Sequence, residues 1–556
     1  MGPSWSRFAD LPPLGGLEAF GGAPESPPLM PVSKLQEHIA DIHECGGAHF
    51  KMRLADSLYA LKDSDMAGYL TVGTACSGSE APVKVLNELS MHWKNHCDTN
   101  LEVVHLFSAE VDPRVQEFIQ EHHCPQCLVA DICDLRKDRV DDVLRANCTD
   151  KTSAVRAVDI FIWGSECDNF SGLNVSTRDP GCYSRNEKKS GRTCRAGMEY
   201  VEKHRPYIAV LENVKNMDAG QKKDSDCSKV MADFNRLGYL VHKGIYDPQD
   251  CGVPQSRKRI YIIAFLLSAA PIDQTAVGFE VPPNMDALAV FLQIVSHSGR
   301  RREIDEFMIQ RGDDPELLAW REERMANKNK KQKKEMEYET DHKEAFDTQG
   351  FPWPPSKEDF EECDLVSAVE HLPVRAAECV YYHQRNISLT GHDWIAEKET
   401  IVDLNMSLKW QVVNYKGWAA PCLVSSSRPY FFRAKRDMCG LEAMALQGWE
   451  FHDINQASDF GRFSDSSLIK LAGNAMNCFV LAYILLGAIT FMDWERGWAA
   501  RQALMGVGLE AEMSPGDEES GADESEDGEV EDGDCDECEE SEEDDLASDS
   551  ADNLSS

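Results

Sequence analysis

The chain has 556 residues, 42% hydrophobic and 28% charged, which is enough to bury a sizeable core and excludes a wholly disordered protein. Its net charge of -39 speaks against a uniformly basic nucleic-acid coat, yet 23 of the acidic side chains fall within residues 510–552, which contain no Lys or Arg. That stretch cannot bury enough apolar surface to offset chain entropy, so a disordered acidic tail is expected over 505–556.

The first residues, MGPSWSRFADLPP, carry charges and no apolar segment, so they do not read as a secretory leader, and the 19 irregularly spaced cysteines are expected to be reduced. Residues 1–66 read as an N-terminal extension, loose where Gly and Pro are frequent and helical over 32–64. From Tyr69 the pattern changes. Short apolar or β-branched runs, YLTVGTA, LEVVHLFSA, VDIFIW, YIAVLENV, YLVHKGIY and RIYIIAF, alternate with segments long enough for helices, such as DPRVQEFIQEHH and CRAGMEYVEKHR. Strand and helix in alternation predict an α/β domain over 67–270, with helices on both faces of the sheet. Between 271 and 424 the rhythm fades into a variable insert with a charged helical stretch whose lysines 328, 330, 331, 333 and 334 suit phosphate contact or a nuclear-import signal, with a solvated helix face at least as good a reading. Order returns over 425–500. The apolar run at 478–492 is short for a membrane span and reads as a buried helix, so no membrane is expected.

Polar residues gather where successive strands end, which is where ligands sit in open α/β sheets. TACSGSEAP follows the first run and its small residues suit close approach of a nucleotide-like ligand, although a plain turn gives the same pattern. Glu110 stands just beyond the second run, as an acid that accepts from ribose hydroxyls does, and Asp131 stands where a third would end; either is also a plausible helix cap. Cys167 follows VDIFIW between Glu166 and Asp168, and Glu212 follows YIAVL. A thiol and an acid over one sheet edge suit a nucleophile and a proton donor aimed at one ring. The paired thiols of HHCPQC and CDEC lack further partners at conventional spacing, so no metal is expected.

The order of these motifs is similar to that of the DNA (cytosine-5) methyltransferase family. GSECDNFSGLN resembles its Pro-Cys motif, LENVKNM its Glu-Asn-Val motif, VPQSRKRIYIIAF its Gln-x-Arg-x-Arg motif, and LEAMALQGWEF followed by LAGNAMNCFV its two C-terminal motifs. The resemblance implies a Rossmann-like sheet that binds S-adenosyl-L-methionine, a smaller target-recognition lobe in 271–424, and C-terminal motifs in 425–500 that complete the catalytic domain. It implies DNA as the partner, with tRNA as the alternative; a nuclear location is expected, in keeping with reduced thiols and the lysine run. By the same resemblance Cys167 adds to C6 of a flipped cytosine, Glu212 hydrogen-bonds at N3, Arg259 holds the base carbonyl with Arg257 beside it, and Asn213 fixes the loop. Cys76, Gly78, Glu110, Asp131, Ile132, Asn474 and Ala475 match cofactor positions. Arg178, Arg185, Lys188, Lys189, Arg192 and Arg195 lie in a segment that resembles the family's mobile loop, and their charge suits phosphates. The chain departs from the family where Ser165 and Glu166 replace prolines, Asp168 replaces glutamine, and Glu80 and Ala81 stand where glycines are usual. Two readings remain: an active methyltransferase, or a catalytically silent relative that binds nucleic acid or methyl donor. Joint retention of Cys167, Glu212, Arg257 and Arg259 favours the first.

Overall fold

The computed structural model describes residues 33–63, 68–171, 181–185, 188–219, 225–270, 283–297, 299–310, 314–328, 338–363, 365–370, 372–389, 401–408, 419–432, 434–451 and 460–512. The chain divides into a unit of residues 1–506, which holds every strand among the described residues, and a unit of residues 507–556, of which only helical backbone to Glu512 is described. The expected acidic tail beyond that point, Arg178, and lysines 330, 331, 333 and 334 all lie outside the described residues.

The strands are β1 (Tyr69–Ala75), β2 (Glu102–Ala109), β3 (Leu128–Val129), β4 (Arg139–Asp141), β5 (Thr152–Ala154), β6 (Ile160–Gly164), β7 (Ile208–Val214), β8 (Tyr239–Tyr246), β9 (Arg259–Leu266), β10 (Ile401–Asp403), β11 (Pro429–Phe431) and β12 (Arg436–Asp437). Seven of them form one sheet in the order β3-β2-β1-β6-β7-β9-β8. Neighbours are parallel from β3 to β7, and β9 runs antiparallel to both β7 and β8. The strand order reverses between β1 and β6, so the ends of these two strands open a crevice.

The near-continuous apolar runs are explained by burial on both faces. Along β6, Ile160 and Ile162 enter one hydrophobic cluster while Phe161 and Trp163 enter the other, as side chains that alternate across a strand must. The first face is covered by helices Ala81–His96, Pro283–Val295 and Cys478–Phe491, the second by Lys188–His204 and Asp226–Arg236. Cys478–Phe491 is buried along its whole length, which accounts for its apolar sequence without a bilayer. The helical character read over 32–64 resolves into two helices, Lys34–Cys45 and Gly47–Asp63, that dock on Cys478–Phe491. His38 Nε2 lies 3.1 Å from the Phe479 carbonyl, and Ser57 Oγ donates to that of Ile489 at 2.6 Å.

A third cluster, including Phe346, Tyr381, Val402 and Tyr430, gathers helices Tyr338–Gln349 and Val374–Leu389 with the small sheet β10-β11-β12. The insert thus has a core of its own. Its segment at 420 returns to the main sheet: Ala420 N–H donates to the Pro254 carbonyl at 2.8 Å, and Ser256 N–H to the Ala420 carbonyl at 2.9 Å.

Candidate active site

The turn after β6 is held from three sides. Asn213, at the end of β7, donates its side-chain amide to the Ser165 carbonyl at 2.9 Å and to Ser165 Oγ at 2.8 Å. Glu166 N–H, which a proline would lack, donates to Thr193 Oγ1 at 3.1 Å. Asn169 and Ser190 exchange hydrogen bonds, backbone N–H to side chain each way, at 3.0 and 3.2 Å. These bonds supply at Ser165-Glu166 the rigidity that prolines supply through their rings. Ser190 and Thr193 had no motif to mark them, and their role emerges only when helix Lys188–His204 is laid against the turn.

Cys167 sits in this turn, partly exposed. Burial pushes its thiol up to about 11; Arg259 pulls it down, while Glu212 and then Asp168 raise it. Glu212, two residues before the end of β7, pairs with Gly164 in the ladder and lies 3.2 Å from Arg259 Nε on the neighbouring β9, with 12% and 15% of the two side chains exposed. Burial raises the carboxyl of Glu212 against the pull of Arg259 and Arg257. The structure therefore brings Cys167, Glu212 and Arg259 to one edge of the sheet.

Arg257 is used differently. It is 4% exposed and donates to the carbonyls of Leu423, Gly473 and Ala475 at 2.8, 2.9 and 2.8 Å. It clamps the insert's return segment and the end of helix Asp465–Asn474 to the sheet, and its contacts are those of a framework residue rather than one directed at a base.

The residues expected to hold the methyl donor line the ends of β1, β2 and β3. Gly78 turns with φ +66°, and a Cβ there would lie 3.3 Å from the Asn474 carbonyl, so the β1 turn and the Asn474-Ala475 backbone touch. Glu80, at φ +56° in place of a glycine, turns its carboxylate inward, where it accepts from Thr74 Oγ1 at 2.9 Å and from Ser108 Oγ. Side-chain hydrogen bonds thus anchor a left-handed residue that has a Cβ. Cys76 is held well above the usual thiol range by burial and by Glu110 nearby. Glu110 accepts from Val111 N–H at 3.0 Å, and burial pushes its carboxyl up to about 7. Asp131 caps the short helix Ile132–Arg136 through Cys133 N–H at 2.8 Å, and Ile132 is buried beside it. Ser77 Oγ is buried with no partner among the described residues. An orphaned hydroxyl, a buried acid and a glycine turn in one cleft fit a nucleoside ligand.

The basic residues among those described lie on helix rather than in a loop. Arg185 ends the helix Cys182–Arg185, and Lys188, Lys189, Arg192 and Arg195 occupy the first half of Lys188–His204. The apolar spacing of Cys194, Met198 and Val201 buries one face of that helix and carries its start back to Lys188, whose side chain lies outside the description. Lys189 pairs with Glu166 at 2.7 Å, Arg192 with Asp131 at 3.5 Å, and Arg195 with Asp233 at 3.2 Å while stacking 4.1 Å over Tyr183. Two of these cations thereby bridge the helix to acids of the candidate site.

The model of the C-5 cytosine-specific DNA methylase family matches residues 96–486. The chain is 25% identical over 432 residues to the DNA (cytosine-5-)-methyltransferase DMT5 of Cryptococcus neoformans, covering 76% of this chain and 17% of that protein. It is 29% identical over 126 residues to the Type II methyltransferase M.NgoFVII of Neisseria gonorrhoeae, covering 23% of this chain and 31% of the other. The chain thus spans less than a third of the length of these relatives. Among solved structures, the S. pombe Dnmt2 methyltransferase aligns with a TM-score of 0.39 at 12% identity, over 75% of this chain and 97% of its own.

Proposed function

The chain belongs to the C-5 cytosine-specific DNA methylase family, and from that membership we propose that it methylates C5 of cytosine in DNA through a covalent bond between Cys167 and C6 of a flipped base. The observation that carries this reading is the convergence of Cys167, Glu212 and Arg259 at the ends of adjacent strands, with Glu212 and Arg259 3.2 Å apart. In the proposed reaction the Cys167 sulfur attacks C6 while the Glu212 carboxyl holds a proton at N3, and the electron pair of the C5–C6 bond becomes available at C5. Loss of the C5 proton to water after transfer breaks the C6–S bond and expels Cys167 as the thiolate, while the N3 proton returns to Glu212. Arg259 steadies Glu212 and faces the base carbonyl; Asn213 fixes the turn that aims the sulfur.

S-adenosyl-L-methionine, bound by Gly78, Glu110, Asp131, Ile132 and the Asn474-Ala475 backbone, would supply an electrophilic methyl group on a sulfonium. In this reading Lys189 and Arg192 meet phosphates, exchanging their carboxylate partners for DNA, which their positive charge supports. A nuclear location is part of the same proposal. The test is transfer of radiolabelled methyl from S-adenosyl-L-methionine into cytosine of duplex DNA against tRNA and poly-dA·dT. Label in cytosine-containing DNA supports the reading; label confined to tRNA moves the activity to RNA, and no label in any arm overturns it in favour of a silent binding module.

A further inference from the structure

Cys422 lies 163 positions after Arg259, in the insert, yet its sulfur is 3.6 Å from Arg259 Nη2 and 3.7 Å from Arg257 Nη1. The bonds between Ala420 and the 254–256 backbone put it there: they zip the end of the insert alongside the strand entry, and two residues later the side chain meets both guanidinium groups. The charges at this spot do not balance without it. The guanidinium groups of Arg257 and Arg259 face the carboxylate of Glu212, and the remaining oxygen partners of the Arg257 guanidinium are neutral carbonyls, while the Asp247 carboxylate accepts from the Arg257 backbone N–H at 2.7 Å. Two buried cations against one anion are strongly unfavourable unless a further negative group is at hand.

We propose that the Cys422 thiolate is the second anion of this site: it pairs with Arg259 and so leaves Glu212 free to hold the proton that the base requires. The claim rests on the reading of Glu212 given above. It makes Cys422 a positioning residue, acting through Arg259 on the reacting pair, and it gives the insert a part in the chemistry. Burial pushes the Cys422 thiol up, but Arg259 and then Arg257 outweigh it and hold the thiol below its ordinary range, whereas Cys167, on which Arg259 also acts, is pushed up to about 11. The groups that face Glu212 are Arg259 and Tyr261 from β9, Arg257 from the turn before it, and Cys167 from the turn after β6, with Cys422 reaching it through Arg259. With a neutral side chain at 422, both arginines act on Glu212 alone and favour its ionised form.

Two measurements on the full chain test this. The first needs neither DNA nor methyl donor: the rate of iodoacetamide alkylation against pH, resolved by peptide mass spectrometry. Cys422 should reach half its limiting rate below about pH 8.5, the midpoint of an unperturbed thiol, and well below Cys167; a midpoint at or above that of a free thiol overturns the proposal. The second is the pH profile of kcat/KM for the wild type, Cys422→Ser and Cys422→Asp. The reactive form has Cys167 ionised and Glu212 protonated, the reverse of their order of acidity, so Glu212 sets the acid limb. That limb should move to lower pH by about one unit in Cys422→Ser and return toward the wild-type position in Cys422→Asp. A packing role alone would change the rate and leave the limb in place, so an unmoved limb in a folded Cys422→Ser variant overturns the proposal, as does a Cys422→Asp variant that behaves like Cys422→Ser. If the wild type methylates no substrate, the proposed function fails while the alkylation midpoint still decides whether Cys422 is the ionised thiol.

Discussion

Asn213 reaches across from the end of β7 to hold both the carbonyl and the hydroxyl of Ser165, at 2.9 and 2.8 Å. The residue after the candidate acid therefore fixes the residue two before the candidate nucleophile, and the relative placement of Glu212 and Cys167 is set by these bonds. Asn213→Ala leaves two buried acceptors to find other partners and should lower unfolding free energy by about 1–3 kcal/mol, while Ser165→Ala, which keeps the carbonyl bond, should cost less. Urea denaturation of both variants checks the order; an Asn213→Ala protein as stable as the wild type would show that these bonds do not hold the turn.

The two carboxylates flanking Cys167 have separate effects. Asp168 raises the Cys167 thiol, after burial and Glu212, whereas Glu166 is engaged with Lys189 at 2.7 Å. Asp168→Asn should move the alkylation midpoint of Cys167 to lower pH, because a like charge that disfavours the thiolate is gone. Glu166→Gln should leave that midpoint in place and cost less than about 1 kcal/mol of stability, as expected for a half-exposed ion pair. Peptide-resolved alkylation of both variants decides; a midpoint that follows Glu166 instead would mean that the Lys189 pair does not persist in solution.

Glu110 should give the proposed donor pocket a pH dependence. Burial pushes its carboxyl up to about 7, so near that pH it is half protonated in the free protein. Ribose hydroxyls that donate to a carboxylate favour the ionised form, so binding should release a proton and tighten as pH rises. Between about pH 6 and about pH 8 the ionised fraction rises roughly tenfold, and S-adenosyl-L-methionine affinity should rise with it. Calorimetry in buffers of different ionisation enthalpy reads the proton directly. Glu110→Gln should abolish both the release and the pH dependence; their survival would place the ribose elsewhere.

Gly78 combines a left-handed backbone with close approach to the Asn474 carbonyl, 3.3 Å from where a Cβ would stand. Gly78→Ala should cost about 1–2 kcal/mol of stability from backbone strain alone and should weaken donor binding further, since the Asn474-Ala475 backbone must move aside. A Gly78→Ala protein that binds the donor as tightly as the wild type would show that this contact does not shape the pocket.

The sheet was legible because its strands are buried on both faces and announce themselves as apolar runs: YLTVGTA, VDIFIW and RIYIIAF correspond to β1, β6 and β9. The acids at the strand ends were legible for the same reason, since a polar residue that breaks such a run stands at the sheet edge. Helix Lys188–His204 was harder to read, because its first turn, KKSGRT, carries glycine and serine, and only packing of Cys194 and Met198 on the sheet draws the helix back that far. Arg257 and Arg259 are indistinguishable by motif, yet one reaches inward to carbonyls and the other pairs with Glu212. Cys422 was invisible for a topological reason: nothing local marks a cysteine in a variable insert, and its meaning comes from pairing of Ala420 with a segment more than 160 positions earlier.

The central claim is that Cys167 bonds to the base with Glu212 as the proton donor. It is tested most directly by incubating the protein with S-adenosyl-L-methionine and duplex DNA carrying 5-fluorocytosine, in which the C5 position has no proton to lose, and mapping any covalent adduct to its peptide after denaturation. The account predicts an adduct on Cys167 that is absent in Cys167→Ala and forms much more slowly in Glu212→Gln. An adduct that persists in Cys167→Ala, or its absence from the wild type on DNA that the protein binds, would contradict it.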